Sequence, residues 1–147
     1  MTKNISKYLC MAMVLGLSAC ANTGDVKLKL SDHSLDAGRE RYLVYFAHDS
    51  YALDDIATKQ VEDLFQEVSR ESGVMLSVNG HTDTTGSDRY NMMLSNERAD
   101  AVRDMLLSLG LEDAQIQTYG FGETDPAVPT PDETFEPQNR RVEVVVN

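Results

Sequence analysis

The stretch GHTDTTGSDRYNMMLSNERADAV, residues 80–102, decides how this chain is read. Gly80 to Asp83 reads as the end of a β-strand, Thr84-Thr85-Gly86-Ser87 as a turn, and the remainder as the start of a long helix. At about 100° per residue, with Leu94 as origin, Ala101, Met105, Leu109, Val102 and Leu106 share one arc from roughly −20° to +120°. Arg98, near 40°, Asn91, near 60°, and Ser95, near 100°, lie inside that arc. The inward stripe is therefore polar over the first turns and apolar beyond them. A guanidinium on such a face needs a partner, because an unpaired buried charge costs several kcal/mol or more.

Two partners are compatible with this pattern. One is an internal ion pair, or an arginine snorkelling at the domain edge. The other is a polar pocket at the N-terminal end of the helix. The strand end delivers Asp83 close to the first helical turns, so an acid and a base fifteen positions apart can flank one cleft. Backbone N–H groups at the helix start favour an anionic group nearby. Such a cleft suits a zwitterion, its ammonium on a carboxylate and its carboxylate on a guanidinium. A structural Asp83–Arg98 pair would use the same two residues, and whether the cleft is open separates the cases.

Working outward, Val74, Leu76 and Val78 alternate with Met75, Ser77 and Asn79 as in a strand with one buried face. Residues 54–72 carry a helical repeat, with Ile56, Val61, Leu64, Phe65 and Val68 on one side and Gly73 placed to end it. Tyr42 to Phe46 is a short β-prone run. The second helix runs from Ser87 or Asp88 to Leu109 and stops at Gly110. Ile116–Tyr119 and Arg141–Val146 read as two further strands, joined by an acidic, proline-rich loop expected to be a solvated surface. The order β-α-β-α-β-β predicts a two-layer α/β sandwich.

The N-terminus has a different character. Lys3 and Lys7 precede an apolar run from about Tyr8 to Leu17, the layout of a secretory signal and too short to span a bilayer. Leu17-Ser18-Ala19-Cys20 resembles the lipobox of bacterial lipoproteins, in which the chain is cut before a cysteine that is then lipidated. Residues 1–19 are thus expected to be a signal peptide, residues 20–40 a lipidated cysteine with a flexible tether, and residues 41–147 the folded domain. Cys10 would leave with the signal, so lipidation also accounts for the single remaining cysteine. Several acyl chains on Cys20 would anchor the chain stably where one would not.

Charge narrows the partners. Thirteen Lys and Arg stand against 24 Asp and Glu, and losing Lys3 and Lys7 would take the net charge from −11 to −13. Such a field repels phosphate backbones and anionic headgroups, so neither nucleic acid nor direct adsorption of the domain to lipid is expected.

G-H-T-D at 80–83, Gly86, the pattern N-x-x-L-S-x-x-R-A-x-x-V at 91–102, and Asn139-Arg140-Arg141-Val142-Glu143 together resemble the OmpA-like peptidoglycan-binding domain family. The similarity runs from about Val44 to the C-terminus, and with Cys20 the whole chain resembles the peptidoglycan-associated lipoproteins. The resemblance implies that Asp83 and Arg98 hold the diaminopimelate of the peptidoglycan stem peptide, Asp83 at an amino group and Arg98 at a carboxylate. It also implies supporting contacts from Asp49, Thr82, Thr85 and Asn91, with Arg140 at the rim. Non-covalent binding without catalysis or a cofactor follows from it, with an outer-membrane location facing the periplasm. Ala21 agrees, since aspartate after the lipidated cysteine is the inner-membrane retention signal in enteric-type bacteria. Tol-type envelope proteins are further partners that the resemblance raises. Many members carry a second aromatic where this chain has His48, which leaves the ligand contact from that position open.

Other functions are weaker fits. His48, Asp49, His81 and Asp83 include plausible metal ligands, yet no H-E-x-x-H or comparable motif is present, and no nucleophile or general base adjoins them. A scaffold acting mainly through protein partners is the other alternative. Flagellar stator proteins carry a similar domain but need a full membrane-spanning helix.

Overall fold

The computed structural model describes residues 39–147. The signal segment, Cys20 and the tether up to residue 38 lie outside the described residues. Among those described, no helix is long and apolar enough to cross a membrane.

The alternating stretches form strands β1 (Arg41–Tyr45), β2 (Leu76–Gly80), β3 (Ile116–Gly120) and β4 (Arg141–Val146), with helices α1 (Asp55–Val68) and α2 (Asp88–Leu109) between them. The sheet order is β1-β4-β2-β3, with β4 antiparallel to both β1 and β2, and β2 parallel to β3. The register brings Val44, Val142, Val144 and Val78 to one face, where they meet Ala57, Val61, Leu64 and Val68 of α1 and Ala99, Val102 and Leu106 of α2. Each such Val or Leu contributes about 1.5–3 kcal/mol by leaving water. The two-layer α/β sandwich is thus the observed fold.

Both helices begin where a side-chain oxygen can cap them. Asp54 accepts from the Ala57 amide at 2.8 Å and Ser87 from the Tyr90 amide at 3.3 Å, each satisfying an N–H that has no partner within the helix. Helix α2 ends at Gly110, whose φ of 120° suits a residue without Cβ. Two expectations for α1 are corrected. It ends at Val68, not Ser72, and Gly73, at φ 77°, turns the chain into β2. Ile56 is 72% exposed because the inward line is Ala57, Val61, Leu64 and Val68, one position away from it.

Close contact between layers depends on Gly80. A Cβ there would stand 1.9 Å from the Ser95 carbonyl oxygen, so α2 can lie this near β2 only over a glycine. Gly80 pairs with both Val142 and Gly120, while Tyr45 pairs with Arg141. The segments leaving β1, β2 and β3 and the one entering β4 consequently emerge at the same end of the sheet, beside the polar half of α2.

Candidate functional site

Arg98 is fully buried and binds backbone rather than an acid. Its Nε donates to the Ser50 carbonyl at 2.9 Å, Nη1 to His81 at 2.8 Å and Nη2 to Ala47 at 3.1 Å. The fixed fork of a guanidinium suits carbonyls converging from two segments, the one after β1 and the one after β2. Its Cζ lies 5.4 Å from the Phe46 ring centroid, within cation–π range. Burial pushes the group down to about 10, opposed by the nearby Asp83 charge, so it stays cationic at neutral pH.

Asp83 is also buried, and its ion-pair partner is Arg140. Arg140 Nη1 donates to Oδ2 at 3.2 Å, and Thr85 gives Oδ1 its hydroxyl at 2.5 Å and its amide at 3.3 Å. Burial alone would raise the carboxyl, but the bonds from Thr85 and Arg140 outweigh it and hold it below its ordinary range. Arg140, half-buried, also ties Asp83 to the Phe46 carbonyl, which its Nε reaches at 3.3 Å.

The remaining expected residues divide by depth. Asn91 is 1% exposed, and its Nδ2 donates to Glu123 at 2.5 Å. The Thr82 amide donates to the Gly122 carbonyl at 2.8 Å, while its hydroxyl is buried without a hydrogen-bond partner. Asp49, at φ 51°, accepts from the Tyr90 hydroxyl on the exposed surface. Thr85, Arg140 and Asp49 are the expected groups that reach solvent, with Tyr90 beside Asp49; Asp83 and Arg98 underlie them. Ser95 is structural, donating to Met92 and accepting from the Gly122 amide at 2.9 Å.

The acidic loop keeps Asp125, Asp132 and Glu133 on the surface, as its composition suggests, and its backbone is also tied down to the site. The Thr84 hydroxyl donates to the Pro131 carbonyl at 2.7 Å and accepts from the Thr134 amide at 3.0 Å, while Glu133 N–H bonds the Thr84 carbonyl at 2.9 Å. Asn139 closes the loop by exchanging two 2.8 Å hydrogen bonds with the Val128 backbone. Glu133 reaches the Gly86 amide at 3.4 Å, so the start of α2 already has a carboxylate beside it. Phe135 meets His48 edge-to-face, with centroids 4.6 Å apart. Composition marked this loop as acidic, and no local pattern pointed to Glu123, Glu133 or Phe135. Among the described residues no three His, Cys, Asp or Glu side chains converge as a metal site.

Residues 45–140 match the OmpA family. The chain belongs to the OmpA family. This OmpA-family chain is 36% identical over 124 residues to the peptidoglycan-associated lipoprotein of Pseudomonas aeruginosa, covering 84% of this chain and 72% of that protein. It is 37% identical to an outer membrane protein of Gluconacetobacter diazotrophicus over 72% of this chain, but spans 30% of that longer protein's length. The OmpA-family fold superposes on the peptidoglycan-associated lipoprotein of Burkholderia pseudomallei with a TM-score of 0.67 at 33% identity, covering 72% of this chain and 90% of that one. The C-terminal domain of Helicobacter pylori MotB, 24% identical with a TM-score of 0.63, covers 71% of this chain and 83% of its own, and shares the fold.

Proposed function

We propose that this domain binds peptidoglycan non-covalently, through the diaminopimelate of the stem peptide, and tethers the outer membrane to the wall from a lipidated Cys20. The observation that carries the reading is the convergence of one carboxylate, Asp83, and two guanidinium groups, Arg98 and Arg140, at one end of the sheet. An amino-carboxylate ligand matches that set. Its ammonium takes a lone pair of Asp83 now accepting from Thr85, and its carboxylate meets the guanidinium side. The unpartnered Thr82 hydroxyl, Thr85, Asp49 and Tyr90 supply polar contacts around it. Asn91 acts through Glu123. The relatives named for association with peptidoglycan support peptidoglycan as the polymer bound.

Sedimentation of the chain lacking residues 1–20 with purified diaminopimelate-type sacculi tests this. The wild type is expected to pellet with sacculi, and Asp83→Ala and Arg98→Ala to stay in the supernatant, with circular dichroism verifying that both variants fold. A folded wild type that never pellets would send the search to protein partners and leave the site purely structural.

A further inference from the structure

His81 is a buried titratable group that the proposed ligand binding does not use. It is 1% exposed, lies flat on Phe121 with centroids 5.2 Å apart and planes 9° from parallel, and neither ring nitrogen makes a well-aligned hydrogen bond, the Asp125 backbone being the polar group that approaches the ring. Arg141, itself 3% exposed, lies beside it with an unpartnered Nη1. The charged groups facing the ring are Arg141 and Glu143 from β4 and Asp125 from the loop after β3. Glu143 is already engaged by Arg141 at 2.6 Å and Arg41 at 3.4 Å.

The backbone of His81 is meanwhile a junction of the site. Its amide donates to the Arg141 carbonyl at 2.9 Å and its carbonyl accepts from Arg98 Nη1 at 2.8 Å, two residues before Asp83. A proton added to the ring would place a second cation beside Arg141 in a space closed to water. Such a charge is relieved by exposing the ring, and the segment 81–86 moves with it.

We propose that His81 is an acid-sensitive latch: while neutral it seals the Asp83 segment between Phe121 and Arg141, and its protonation opens that segment and weakens the site. Burial first and Arg141 second press its ionisation down to about 4, with Glu143 and Asp125 pulling the other way. A lowered value means the closed form excludes a proton that the opened form accepts. The opened population therefore grows as pH falls from the ordinary histidine value of 6.5 towards 4, by up to about tenfold per pH unit. The effect on the ligand rests on the binding function proposed above; the opening itself does not.

Hydrogen–deuterium exchange of the full chain in detergent, corrected for intrinsic rates, measures the opening between about pH 7 and pH 4.5. Amides of residues 81–86 should lose protection in acid, while those of Val102–Leu106 in α2 keep theirs. His81→Phe, which keeps the stack, and His81→Gln should remove the pH dependence in residues 81–86. Ring titration of the wild type by NMR needs no variant, and an imidazole titrating at its ordinary value would overturn the latch. An equal loss in α2, or variants that follow the wild-type profile, would overturn it too. Sacculus binding across the same range separates the two readings: absence of binding at every pH defeats the ligand assignment, while exchange still decides the latch.

Discussion

Arg140 Nη1 lies 3.2 Å from Asp83 Oδ2, while Arg98, the deeper arginine, turns its nitrogens to the carbonyls of Ala47, Ser50 and His81. The two arginines thus divide the work. Arg98 joins the segments that frame the site, and Arg140 neutralises the acid within it.

Removal of Arg140 should destabilise the domain more than removal of Asp83. Arg140→Ala leaves a buried carboxylate held by Thr85 alone, at a cost of about 3–5 kcal/mol. Asp83→Ala frees a half-buried guanidinium that can turn to water. Urea denaturation of both variants checks the order, and equal midpoints would contradict it.

The Asp83 carboxyl sits below its ordinary value of 3.8 when folded. A depressed acid contributes stability above its unfolded value and loses that contribution as pH falls through the folded one. The stability gap between wild type and Asp83→Asn should thus be constant near neutrality and narrow below about pH 4. Thermal melts across that range test it; a gap that persists in strong acid would mean ionisation is irrelevant to the pair.

Arg98→Lys keeps the charge but cannot reach three carbonyls at once. It should cost about 3 kcal/mol or more, because buried acceptors are left unsatisfied. Arg103→Ala, which removes exposed pairs to Asp104 and Asp113, should leave both stability and sacculus binding at wild-type level. Paired denaturation curves distinguish the two arginines.

Gly80→Ala would push a methyl into the Ser95 carbonyl, where the clash is with backbone. A loss at or above the upper end of the overpacking range, about 3 kcal/mol, is expected. A variant melting like the wild type would show that α2 can retreat freely.

Thr84→Val removes the hydroxyl that clasps Pro131 and Thr134. About 1–3 kcal/mol should be lost, with faster proteolysis within residues 123–136 and little change at α1. Limited proteolysis followed by mass spectrometry reads both regions.

Helix α2 from Asp88 to Leu109 and strand β4 from Arg141 to Val146 were legible in the sequence, because caps, stop signals and periodicity act between near neighbours. The polar half of the α2 stripe likewise pointed to that end of the helix as the place where buried polar groups gather. The family motifs singled out residues there, but not their partners. Asp83 finds Arg140 fifty-seven positions away, Asn91 finds Glu123 thirty-two away, and Arg98 finds Ala47 fifty-one away. Those pairings follow from the placement of β4 between β1 and β2 and from the loop folding back onto Thr84. Sequence periodicity determined which side chains face inward. Only the tertiary structure decided which inward charges meet, because hydrogen bonds act over about 3 Å and strand order, not chain order, sets that proximity.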